Sequence, residues 1–224
     1  MPIVQIDHKL VYFAHVPRCA GSSVENYLHG RFGTLGFLDR GQLQTPSDQL
    51  WSKTSPQHVH TEALKRLMPA SFFAARFAVV RHPALRLRSV FLYQRDIEQA
   101  LEPETPFSTW LRRVPGLRQQ DACVFDNHLR PMRDLVPADS RIFKLEQGLE
   151  PLLRWLDRLA GDSSPIELGH INSHADRIKA LDSPAPGPVC NPVPEISPRD
   201  LAFIRGMDAA DFDRFGYDSD LPPF

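Results

Sequence analysis

An α/β domain built on a central, mostly parallel sheet is what this sequence predicts, and three stretches predict it. Residues 10–16 and 77–80 are continuous apolar, β-branched and aromatic runs, the pattern of strands buried on both faces. Residues 141–145 give a third strand. Each is followed by a turn and then by apolar residues at helical spacing. Strands that alternate with helices pair in parallel and are covered on both faces. At 224 residues the chain is long enough for one well-cored domain, and no internal repeat divides it.

Residues 1–8 lack a basic region followed by a long apolar core, so they read as an N-terminal tail and not as a signal peptide. The first strand runs into Arg18, Cys19, Ala20, Gly21, Ser22 and Ser23, after which Val24, Tyr27 and Leu28 fall at helical spacing. A strand feeding a tight turn and a helix aims backbone N–H groups and the helix dipole at one point, and that point attracts an anion. Arg18 adds a fixed positive charge there, and Ser22 and Ser23 add hydroxyl donors. The nucleotide form of this device, G-x-x-x-x-G-K-S/T, needs two glycines and a lysine. Here the arginine precedes a single glycine and no lysine follows. The plainer alternative is a buried strand and a capped helix.

The second strand ends in a similar way. Pro83 has the fixed φ that suits the first turn of a helix, which leaves Arg81 at the strand end and Ser89 inside the new helix. Arg81 as a planar fork and Ser89 as a hydroxyl donor can converge on one phosphate.

Between these loops, residues 30–55 are irregular, with Gly33, Gly36, Gly41 and Pro46 as breakers and a possible short strand at 35–38. Helices are expected at 61–68, burying Leu64, Leu67 and Met68, and at 105–113, burying Phe107, Trp110 and Leu111. Another starts at Pro151, buries Leu152, Trp155, Leu156 and Leu159, and stops at Gly161. Six prolines make 183–198 an extended loop or lid segment. Ser197 and Pro198 then restart a helical segment over 198–216.

Lys+Arg 26 against Asp+Glu 27 gives a formal charge of −1, so no global field recruits nucleic acid or anionic lipid. The arginines at 81, 86, 88 and 95 are local to the second loop and its helix. Three cysteines, Cys19, Cys123 and Cys190, show no paired spacing, which argues against a disulfide framework and fits a reducing compartment. Cys19 reads as a small neutral filler of its loop, or a weak thiolate. No window approaches about 18 uncharged apolar residues, so no spanning helix is expected and the expected location is cytoplasmic.

The stretch from Arg18 to Ser23 resembles the 5′-phosphosulfate loop of sulfotransferases, P-K-x-x-G-S/T-S/T, with arginine for lysine. Residues 81–93 resemble their 3′-phosphate loop, R-x-P-x-x-R-L-x-S-x-x-x-Y, at Arg81, Pro83, Arg86, Leu87, Ser89 and Tyr93. The resemblance is to carbohydrate-type (family 2-like) bacterial members and extends from Lys9 to about Tyr217. It implies a single domain over 1–224, with a P-loop-kinase-like parallel sheet of four or five strands flanked by helices. Only three strands are plain, so one or two more are expected in the irregular regions. It also implies transfer of a sulfuryl group from 3′-phosphoadenosine 5′-phosphosulfate to an acceptor hydroxyl on a carbohydrate or glycolipid, leaving 3′-phosphoadenosine 5′-phosphate. The nucleotide would rest on Arg18, Cys19, Ala20, Gly21, Ser22, Ser23, Arg81 and Ser89. The partners expected are a hydroxyl-bearing small molecule or glycan, with no nucleic acid, no transmembrane anchor of the kind Golgi-resident animal members carry, and no metal.

Such a transfer needs a cation for the departing phosphate oxygen and a base for the acceptor proton. Arg18 fits the first, although arginine effectively cannot pass on a proton. His58, in Gln57-His58, looks like the counterpart of the family's catalytic histidine. His60 is the alternative, because alternate residues of an extended segment share a face. The run from Asp126 to Pro131 resembles a D-N-H-x-R-P element, and 170–174 an H-x-N-x-S element with His174 at the serine. His128, His170 and Asn172 are therefore candidate contacts to nucleotide or acceptor, or turn caps. Glu146 reads as structural. Two other readings stand beside this one: a P-loop kinase of a small metabolite, and a nucleotide-binding scaffold of the same fold without turnover.

Overall fold

The computed structural model describes residues 2–163 and 192–222. A four-stranded sheet runs in the order β1 (Ile3–Ile6), β2 (Lys9–Ala14), β3 (Ala75–Val80) and β4 (Arg141–Lys144). The last three are parallel, with Phe13 opposite Phe77 and Val79 opposite Phe143. The Phe13 and Phe77 rings stack at 4.9 Å. β1 is antiparallel to β2, joined by Asp7 and His8 at φ 45° and 60°. Two successive left-handed residues make a hairpin turn whose twist matches that of the strands.

Residues 1–8 are thus not merely a tail, and the fourth strand lies there and not in the irregular stretches. Val4 and Ile6 are buried while Gln5 is exposed. Four residues are too few for that alternation to stand out, and Asp-His is not a favoured hairpin pair. The strand expected at 35–38 reduces to one bridge between Gly36 and Ile3. β2 also stops short of residue 16, because from His15 the chain bends away into the loop.

Eight helices are described: α1 (Gly21–Phe32), α2 (Thr61–Leu67), α3 (Pro83–Leu92), α4 (Phe107–Gln120), α5 (Met132–Leu135), α6 (Glu150–Ala160), α7 (Pro198–Met207) and α8 (Ala209–Phe215). α6 buries Leu152, Trp155 and Leu156 and ends on a left-handed Gly161, as its sequence pattern predicts, while the expected Leu159 is only half-buried. α4 outruns the expected 105–113 by continuing through Pro115. That proline is exposed, so water can serve the carbonyl it orphans. The expected segment 198–216 is two helices that break at Asp208, with Ser197 Oγ accepting from Asp200 N at 3.1 Å to cap the first. Of the proline-rich loop, residues 183–191 lie outside the described residues.

Two apolar clusters result. One surrounds the sheet and includes Val24, Leu28, Phe77, Leu152 and Trp155. The other joins α3, α4, α7 and α8 around Phe91, Trp110, Ile204 and Phe212. Both turns that follow the parallel strands β2 and β3 face one cavity. Among the described residues no helix is long and apolar enough to cross a membrane.

Candidate active site

A cavity of about 630 Å³ opens where β2 and β3 end. Arg18, Ala20, Gly21, Ser22 and Ser23 line one side of it. Arg18 and Ala20 both sit in the left-handed region, at φ 67° and 61°. Such bends in a short loop turn backbone N–H groups inward to form an anion-binding concavity. The opening turn of α1 adds N–H groups that have no acceptor inside the helix. Gly21 is needed for space: a Cβ there would collide with the imidazole of His15.

Cys19 departs from expectation. It is buried beneath the loop with Sγ toward the Pro17 carbonyl at 3.7 Å, and it does not line the cavity. Burial pushes its thiol up to about 12, so it is a neutral filler.

Arg81, Arg88, Ser89 and Tyr93 line the facing wall. The two loops touch directly, since Arg18 Nε donates to Ser89 Oγ at 3.1 Å and the Arg18 guanidinium lies 4.5 Å over the Tyr93 ring. The loop after β3 is fixed from behind. His82 N donates to Glu146 Oε1 at 2.7 Å, and Tyr217 Oη donates to Glu146 Oε2 at 3.0 Å, so Glu146 is structural as read. Arg86, a motif position, is 1% exposed and donates to the carbonyls of Pro17, His128 and Arg130 at 3.2, 2.8 and 3.0 Å. It ties three loops together and does not face the cavity.

His58 closes the cavity on its inner side. Its Nδ1 lies 2.8 Å from Asp126 Oδ2, and Asp126 also accepts from Ser55 N and Ser55 Oγ, each at 2.6 Å. Residues 125–127 all have positive φ, a strained turn that places Asp126 against His58. Burial holds the His58 pKa below the ordinary histidine value, against the pull of Asp126. The ring is therefore neutral near pH 7. With Nδ1–H given to the carboxylate, Nε2 is left as a base. His60 is not in the cavity lining: its Nδ1 accepts from Ala63 N at 3.3 Å and caps α2. The alternation that made it a candidate fails because Pro56–His58 forms a 3-10 turn.

His128 lines the cavity 5.3 Å from both the His58 and Tyr93 rings. Its Nδ1 is buried without a hydrogen-bond partner, and burial drives its pKa well below the ordinary value. Asn127, beside it, instead donates to the His58 carbonyl at 2.8 Å. His170, Asn172 and His174 lie outside the described residues.

Sequence reading missed His15 and Glu25. His15 Nδ1 is 2.5 Å from Glu25 Oε1, both side chains are buried, and the His15 ring meets His58 edge-on at 4.7 Å. The only signal was a histidine closing an otherwise apolar run. His58, Asp126 and His128 can also bring donor atoms within 4.8 Å of one another, a separation a cation could use. In this structure the Asp126 oxygens are already engaged by Ser55 and His58, which makes the group an oriented histidine.

A loop with left-handed bends and a leading arginine, a second loop joined to it through Ser89, and a neutral oriented histidine form a site for moving an anionic group between oxygens. Searches of curated proteins and of solved structures returned no match. The model of the sulfotransferase family matches residues 2–159. That span contains both loops and the three clustered histidines, and on it the chain belongs to the sulfotransferase family of transferases.

Proposed function

We propose that the protein transfers a sulfuryl group from 3′-phosphoadenosine 5′-phosphosulfate to a hydroxyl of a carbohydrate or glycolipid. The hydrogen bond between Arg18 and Ser89 carries this reading, because it joins two phosphate-type loops across one cavity. The donor supplies an activated sulfuryl group on a 5′-phosphate. Arg18 and the N-terminal turn of α1 hold that phosphate and stabilise charge developing on it. Arg81, with Ser89 beside it, holds the 3′-phosphate. His58 takes the acceptor proton at Nε2, and Asp126 holds the ring in the tautomer that permits this. His128, Gln57 and Arg40 give the rest of the wall a polar character suited to a hydroxyl-rich acceptor.

Membership of the sulfotransferase family sets the kinase reading aside. The loop also lacks the lysine that reading needs, and Glu25 is spent on His15. Calorimetry with 3′-phosphoadenosine 5′-phosphate, without magnesium, tests the proposal. Binding should be clearly tighter than for AMP, which lacks the 3′-phosphate, and equal affinity would remove the main support. Tight binding with no transfer to any of a panel of hydroxyl acceptors would favour a scaffold that has lost turnover.

A further inference from the structure

His15 stands where β2 gives way to the first loop, between the cradle and the base. Glu25 holds its Nδ1 from the second turn of α1, and the ring packs over Gly21, the first residue of that helix. Phe13 stacks on it at 5.6 Å, and His58 meets it edge-on. The residue lines the cavity, its Nε2 lies against Gly21 at the start of the loop's helix, and Nε2 has no hydrogen-bond partner among the described residues. A buried histidine–carboxylate pair is costly to desolvate, so its retention beside a loop built for anions asks for a reason. Arg18 supplies one. A guanidinium can neutralise the departing phosphate oxygen but cannot give it a proton.

We propose that His15, paired with Glu25, is the proton donor to the 5′-phosphate oxygen from which sulfur departs. The inference rests on the sulfuryl-transfer reading above and adds a catalytic residue to it. The sulfur–oxygen bond to the phosphate breaks, and its electron pair stays on the phosphate oxygen, which takes the Nε2 proton of His15. The new bond forms between sulfur and the acceptor oxygen, whose proton goes to Nε2 of His58. His15 is left as the neutral tautomer with Nδ1–H on the Glu25 carboxylate. The proton gained by His58 equals the one lost by His15, and exchange with solvent restores both. Glu25 is suited to this role: burial pushes its carboxyl up, but the charge and hydrogen bond of His15 hold it below the ordinary value, as a carboxylate. The titratable and charged groups around the ring are Glu25 on α1, His58 on the 3-10 turn and, beyond His58, Asp126 and His128; Arg18 and Arg81 line the same cavity.

The test reads binding and turnover separately. Calorimetry of 3′-phosphoadenosine 5′-phosphate at alkaline pH, in two buffers of different ionisation heat, should show proton uptake by the wild-type protein. His15→Asn keeps an N–H for Glu25 and removes Nε2. It should bind the nucleotide within about threefold, lose that proton uptake, and turn over roughly 10²–10³-fold more slowly. The alkaline limb of its pH–rate profile should vanish while the acid limb remains. Unchanged uptake and turnover in His15→Asn would overturn the proposal. Collapse of nucleotide affinity and melting temperature in both His15→Asn and His15→Gln would also overturn it, showing that the ring only props the loop. A wild-type protein that prefers AMP or binds neither nucleotide would instead sink the sulfuryl-transfer reading beneath it.

Discussion

At the scale of single residues, His58 and Arg81 should separate in kinetics. His58→Ala should leave donor binding nearly intact and lower kcat by roughly 10²–10⁴-fold. With His58 as the proposed base, activity should be lost as pH falls through the depressed His58 pKa. Asp126 raises that pKa, so Asp126→Asn should move the acid limb to still lower pH while kcat drops. A limb that stays fixed, or moves upward, would take Asp126 out of the role given it. Arg81 is the proposed 3′-phosphate partner in ground and transition states alike, so Arg81→Ala should raise donor KM by a contact of about 1.5–3 kcal/mol with little change in kcat. A kcat effect larger than the KM effect would place Arg81 at the reacting group. Arg18, Arg81, Ser89 and His58 could be read from sequence because each belongs to a short local pattern. His15 and Glu25 could not, and Asp126 was marked only as part of its motif, not as the partner of His58. Their placement at the site comes from tertiary approach, such as the 68 residues of chain separating His58 from Asp126.

At the scale of elements, Arg86 shows how a motif residue can serve structure. Its guanidinium ends three otherwise irregular segments on their carbonyls, at Pro17, His128 and Arg130. Arg86→Met should cost about 3–5 kcal/mol in urea unfolding, because buried acceptors lose charged donors. A loss under about 1 kcal/mol would mean that water replaces it readily. β2 and β3 were legible from their unbroken apolar runs, and α6 from its apolar stripe and terminal glycine. β1 was not, being four residues long on the sheet edge. The end of α4 was hidden by Pro115, which the chain tolerates only because it faces solvent. The break between α7 and α8 was hidden because Asp208 is a poor punctuation mark in sequence. In the structure its carboxylate is drawn to Arg118 of α4, at 2.5 Å and 3.1 Å.

For the whole molecule, buried histidines set the response to acid. His58, His82 and His128 all have folded pKa values below the ordinary one, with burial the first cause in each. The unfolded chain therefore binds more protons between those values and about 6.5. Their contribution is whole above that range and is lost as pH falls through it. Asp211, raised by burial, acts with the opposite sign above the usual carboxylate range. With the histidines outnumbering that carboxyl, the melting temperature should fall from pH 7.5 to 5.5. A flat profile would show that these rings protonate in place. The contact between Arg18 and the far loop has a consequence for how such loops could be exchanged among relatives. A lysine at 18, the residue usual in the resembling motif, has no Nε–H for Ser89 and no planar face for Tyr93. Its ammonium would enter a socket shaped for a flat cation. Arg18→Lys should therefore lower kcat/KM, by about tenfold or more, and not restore a lost optimum. Rates at or above wild type would show the socket to be indifferent. If the loss is found, the arginine and its two neighbours on the second loop are a single inherited unit, and grafting either loop alone onto another scaffold should fail where grafting both succeeds.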